Sequence, residues 1–144
     1  MATEASNKIK FLLAKKVIDF SADSFKIILM QSGFVFNKDT HEGYANVSAN
    51  ELPTGNGYTA GGAVLSGVTV TEDDTNDRCE VAWNNASWTA AGGTIGPTPG
   101  AIIYDDTVTT PTADPIVGYI DFSGNQSQAD GGVATISNLK FRVI

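Results

Sequence analysis

From residue 63 to the C-terminus, clusters of Gly, Pro, Asn and Asp cut the chain at short intervals, and the pieces between them are rich in Val, Ile, Thr and aromatic residues. Runs of four to eleven residues with this composition and punctuation read as strands: Ala63–Thr71, Cys79–Trp83, Ser87–Ala90, Ala101–Asp105, Ile116–Phe122 and Val133–Val143. The spacing predicts an antiparallel β-sandwich. In the second run Cys79, Val81 and Trp83 fall on one face and Arg78, Glu80 and Ala82 on the other, the period-two signature of a half-buried antiparallel strand. Trp83 is therefore expected in the core. Asn84–Ser87 carries turn residues, which predicts a hairpin joining Trp83 and Trp88. Ala90–Gly100 is expected to be a structured loop.

The first third reads differently. Ile9, Leu12, Leu13 and Val17 recur at helical spacing, which predicts a helix over Ser6–Lys16 with Ser6 as its N-cap. Phe25–Met30 is almost continuously apolar and is expected as a central strand, buried on both faces by the helix and a second sheet. Asp39–Leu52 has few strand signals and predicts a second short helix or an ordered loop, ended by Pro53-Thr54-Gly55. The expected fold is mainly β, an antiparallel sandwich with a short N-terminal helix, forming a single domain over residues 1–144. Met1–Asn7 is expected as a flexible arm.

Several function classes are disfavoured by composition and spacing. Gly55-Asn56-Gly57-Tyr58-Thr59-Ala60 matches a relaxed dinucleotide fingerprint. That chemistry needs a helix N-terminus after the glycines, whereas Ala63–Thr71 is β-branched and alternating. A formal charge of −7 opposes binding to a phosphate backbone, so nucleic acid is not an expected partner. The run of roughly 18 apolar residues needed to span a membrane is missing, and so is an apolar h-region near the N-terminus. The Asn-x-Ser sequons at Asn46, Asn85 and Asn125 therefore carry no weight. Cys79 is the single cysteine, so no intramolecular disulfide forms and no Cys/His spacing suggests zinc.

Catalysis and cofactor binding are not expected. His41 is the single histidine and has no Ser or Cys nucleophile signalled beside it. Asp105 and Asp106 point to opposite faces of an extended strand and so do not cooperate as glycosidase carboxylates do. Within Glu72–Asp77, the side chains of Asp73, Asp74 and Asp77 are candidate calcium ligands. The glycine and terminal glutamate of an EF-hand loop are missing there, and a polar turn is the simpler reading.

One combination of motifs spans nearly the whole chain. It comprises Val17-Ile18-Asp19-Phe20 and Asp23–Met30 after the helix, Glu51–Gly62, Val68–Thr71 followed by Asp73–Arg78, then Trp88, Gly100–Thr107 and Asp114–Phe122. In order and type these resemble a family of small virion structural proteins of tailed bacteriophages. The resemblance implies a non-enzymatic protein, assembled in the bacterial host cytoplasm and resident in the virion. Its expected partners are the major capsid protein or other virion proteins, with further copies of itself. Capsid decoration is the leading expectation, and a neck or tail component is the alternative. Met1, Ala2, Thr3 and Glu4 of the arm, together with Trp88, are the expected partner-binding residues. A carbohydrate-binding module is a more distant alternative, with Trp83, Trp88, Tyr58 and Tyr104 as stacking platforms.

Overall fold

The structure is a computed structural model that describes residues 2–143. The elements run in the order β1 (Ala2–Ala5), α1 (Asn7–Ala14), β2 (Phe25–Leu29), two 3-10 turns (Tyr44–Asn46 and Ser48–Asn50), β3 (Ala63–Val64), β4 (Thr69–Asp73), β5 (Arg78–Trp83), β6 (Ala86–Thr89), β7 (Ile95–Asp105), β8 (Ile116–Gln128), β9 (Val133–Ile136) and β10 (Leu139–Val143). The molecule is mainly β, with antiparallel sheets and one N-terminal helix.

The principal sheet has the order β1-β8-β7-β2-β3. Alternation along its strands sends side chains into two separate cores. Phe25, Ile27 and Leu29 of β2 and Ala101 and Ile103 of β7 join the larger core, which also takes Ile9 and Leu12 from α1 and Val81, Trp83, Trp88, Leu139 and Phe141 from the second layer. Ile28, Met30, Ile102, Tyr104, Ile116 and Tyr119 face the other way and meet Val47, Phe34, Phe36 and Tyr44. β2 is thus buried on both faces, as its continuous apolar run implies. The covering differs from expectation, because helix and second sheet lie on one face and the irregular 34–47 segment covers the other. The middle position belongs to β7, with β2 beside it.

The second layer comprises β10-β5-β4 and β6-β9. Trp83 pairs with Leu139 and Ala86 with Ile136, so both chains of this ribbon lose their pairing over the same two residues, 84–85 and 137–138. Asn138 at φ 55 supplies the bend on one side. The expected strand Val133–Val143 is consequently two strands, and the expected Trp83–Trp88 hairpin is not formed, because β5 and β6 pair with β10 and β9 rather than with each other. Ala63–Thr71 is likewise divided: Gly67 at φ 65 turns the chain so that β3 stays on the principal sheet and β4 crosses to the second. Part of the expected Ala90–Gly100 loop is strand, since β7 begins at Ile95.

At the other end, Ser6 caps α1 by accepting the Lys8 backbone N–H at 3.1 Å, and the helix closes before Lys16 at φ 59. Residues 2–5 are not a loose arm: β1 pairs in register with β8, Thr3 opposite Ile120 and Glu4 opposite Tyr119.

Candidate interaction surface

The most elaborate polar arrangement lies inside the fold. Glu51 is buried, and its Oε1 accepts from the Tyr58 hydroxyl at 2.6 Å and from the Gly61 N–H at 2.7 Å, while Oε2 accepts from the Tyr44 hydroxyl at 2.5 Å. Tyr58 Oη in turn accepts the Leu29 N–H at 3.0 Å, and the Tyr104 hydroxyl donates to the Gly61 carbonyl at 2.8 Å. Burial, followed by the Glu51 carboxylate, pushes the Tyr44 hydroxyl up to about 12, and burial raises Tyr58 and Tyr104 further. Each tyrosine hydroxyl is committed to a neighbour and holds its proton, so the cluster fastens Gly55–Gly62 to β2. The fingerprint-like glycines are therefore a turn, with an N–H and a carbonyl at Gly61 used by the core.

The other titratable candidates are also internally engaged. Asp105 is fully buried and accepts from the Thr107 and Val108 N–H groups at 2.8 and 3.2 Å, whereas Asp106 forms an ion pair with Lys26 at 3.0 Å on the opposite face. Asp73 accepts from the Asn76 side chain and pairs with Arg78 at 3.0 Å, forming the polar turn between β4 and β5. Asp74 and Asp77 do not join it in a metal cage: the described residues contain no group of three or more His, Cys, Asp or Glu side chains arranged to hold an ion. Trp83, Trp88, Tyr58 and Tyr104 are all buried, and Trp88 lies against Tyr58 at 5.8 Å. The expected stacking platforms are thus core side chains, and Trp88, 8% exposed, lines a cleft of 520 Å³ beside β9.

Thr3 and Glu4 have a different setting. They border a groove of 380 Å³ whose walls are Phe34, Val35, Phe36, Pro99, Tyr119 and Asp121. The 34–36 loop is braced from beneath: Phe36 stacks on Tyr119 at 5.5 Å, Phe34 meets Tyr119 edge-on at 5.7 Å, and His41 stacks on Phe34 at 5.4 Å. Burial lowers the His41 pKa, and its Nδ1 accepts the Asn37 N–H at 3.1 Å, so the single histidine is a neutral loop brace. Val35, at the crest, is 79% exposed. Gln31–Lys38 gave no strand or helix signal in the sequence, and the short apolar triplet Phe34-Val35-Phe36 after Gly33 was its sole clue.

The groove runs along the edge of the principal sheet formed by β1, which is open as far as Ala5; beyond it the outward Asn7 N–H donates to the Lys38 carbonyl at 3.0 Å. Ser6 N–H donates to the Val117 carbonyl at 3.1 Å, and the register places Glu4 and Ala2 in the same hydrogen-bonding phase. By the alternation of antiparallel ladders, the N–H and C=O groups of Thr3 and Ala5 face away from β8. Thr3 and Glu4 are exposed. Of the expected partner-binding residues, Thr3 and Glu4 thus meet at one surface, Ala2 lies on the same strand, and Met1 is outside the described residues. Comparison with protein-family models, curated proteins and solved structures gives no match for this chain.

Proposed function

We propose that this protein is a non-enzymatic structural component of a tailed-phage virion, most simply a decoration protein that binds the assembled shell and stabilises it. The observation that carries the reading is the β1 sheet edge beside a groove lined by Phe34, Phe36 and Tyr119, an arrangement suited to docking a partner. The motif resemblance supplies the class of assembly. The inward commitment of Glu51, the tyrosines and Asp105 speaks against an enzyme, and the burial of the four large aromatics removes the platforms a glycan-binding module would need. A protein that prefers the assembled lattice to its free subunits stabilises that lattice by mass action.

The test is the copy number per purified particle, measured by quantitative mass spectrometry against the major capsid protein. Hundreds of copies are expected for a shell-wide decoration role. A count of roughly three to a few dozen would move the protein to a neck or tail ring by the same symmetry argument. Absence from particles would overturn the virion reading.

A further inference from the structure

The geometry of the β1 edge points to a specific mode of docking: we propose that β1 accepts an extended, basic segment of a partner protein as a sixth strand of the principal sheet, with a Lys or Arg of that segment placed opposite Glu4 over the groove. This rests on the virion reading only in identifying the donor as a segment of shell protein.

The outward N–H and C=O groups of Thr3 and Ala5 set the register of an added antiparallel strand. A residue opposite Glu4 then occupies a non-hydrogen-bonded position, where side chains approach most closely, and it shares the face of Glu4, Tyr119 and Asp121. The stem of a long side chain would lie along Phe36 and Tyr119 while its cationic end met carboxylates. Glu4 is free to respond, because its ion pair with Lys38 is long, 3.9 Å, and half-exposed on both sides. Asp121 lies at the end of the groove, its Oδ1 accepting the Ser123 N–H at 2.7 Å. A net charge of −7 favours a basic donor over an acidic one. A second copy is the poorer occupant. Two β1 strands paired with Thr3 opposite Ala5, the register that uses both residues' outward groups fully, place Glu4 against Glu4, and like charges directly opposite are destabilising.

The test uses the full chain, ¹⁵N-labelled, with two blocked pentapeptides, Thr-Val-Lys-Val-Thr and Thr-Val-Glu-Val-Thr, each at about 1 mM, a concentration that detects affinities of a few kcal/mol. The lysine peptide is expected to slow amide exchange at Thr3 and Ala5 at least several-fold and to shift the Val35 and Tyr119 signals, and the glutamate peptide to do neither. Equal effects from the two peptides, or none from either, would overturn the proposal. Protection that grows with protein concentration without peptide would also overturn it, by making a second copy the occupant. Thr3→Pro removes one outward N–H and leaves the β1–β8 ladder intact, so it should abolish peptide protection at Ala5 while amide spectra elsewhere stay unchanged. In particles, Thr3→Pro and Glu4→Lys should each lower the copy number at least ten-fold. Full incorporation of both variants would sink the strand mode alone, whereas absence of the wild-type chain from particles would sink the virion reading and leave the peptide result to decide the strand.

Discussion

A carboxylate enclosed in an apolar interior needs donors in place of its water, and Glu51 has three: two tyrosine hydroxyls and the Gly61 N–H. Glu51→Ala would strand all three, and the expected loss is about 3 kcal/mol or more, read from urea unfolding. Glu51→Gln keeps an acceptor and should cost less than half of that; equal losses would mean that side-chain volume, not the charge, holds the turn. Asp105 gives the opposite case. Burial foremost, with the nearby Asp23 carboxylate acting in the same direction, raises its pKa to about 6, and Oδ2 has no hydrogen-bond partner among the described residues. Because the folded pKa lies above the unfolded value of 3.8, the folded state holds this proton more tightly. The contribution is complete below about pH 4 and is lost as pH rises through 6. Asp105→Asn retains Oδ1 for Thr107 and Val108 and removes the charge. It should flatten that slope and stabilise the protein at pH 7 by on the order of 1–2 kcal/mol; a less stable variant at pH 7 would mean that the buried charge is not what costs stability there. Neither site was legible in the sequence. β7 ends at Asp105, so Asp106 is not part of the strand, and Asp23 is eighty-two positions distant from Asp105 while Glu51 lies in a stretch without periodicity.

The elements that the sequence disclosed are those in which local pattern and tertiary burial agree. The N-cap at Ser6, the apolar run of β2 and the alternation in β5 all recur in the structure because each is enforced by its own residues. Strand divisions fall where the chain changes sheets: the apolar phase slips by one residue across Ser66-Gly67, from Leu65 to Val68 and Val70, and across Ser137-Asn138, from Ile136 to Leu139 and Phe141, and each half joins a different sheet. The approach of the glycine-rich turn to β2 was hidden. A Cβ on Gly62, at φ +79, would stand 2.0 Å from the Ile27 carbonyl oxygen, whereas one on Gly61, at φ +94, would meet nothing within 4 Å. Both Ala substitutions carry backbone strain, and Gly62→Ala adds a collision with a strand that cannot yield. Its destabilisation is expected to exceed that of Gly61→Ala by at least about 2 kcal/mol in thermal or urea unfolding. Similar losses would show that the turn moves off β2 without difficulty. Ser6→Ala should cost about 1 kcal/mol by removing the cap of α1.

Across the whole molecule, charge is distributed so that one sign is largely neutralised and the other is left over. Among the described residues, six of the nine basic side chains lie in ion pairs, and Glu80 receives Arg78, Lys140 and Arg142. Among the described residues the same pairs use five of the sixteen acids, Glu4, Glu42, Asp73, Glu80 and Asp106. Lys10, Lys15 and Lys16, the basic residues outside these pairs, sit together on and just after α1. The net charge is −7, and Glu4 and Asp121 are the carboxylates that line the groove. A basic partner would therefore be drawn in by long-range attraction and held by strand pairing and apolar contact, and salt separates these two contributions. Raising ionic strength from about 0.05 to 0.5 M shortens the screening length to a few ångströms. The association rate with shells should then fall at least ten-fold while dissociation changes much less, as measured by surface-plasmon or light-scattering kinetics on stripped particles. An association rate unmoved by salt would mean that the groove recognises its partner by shape and apolar surface alone, and the acidic excess would then have no part in docking.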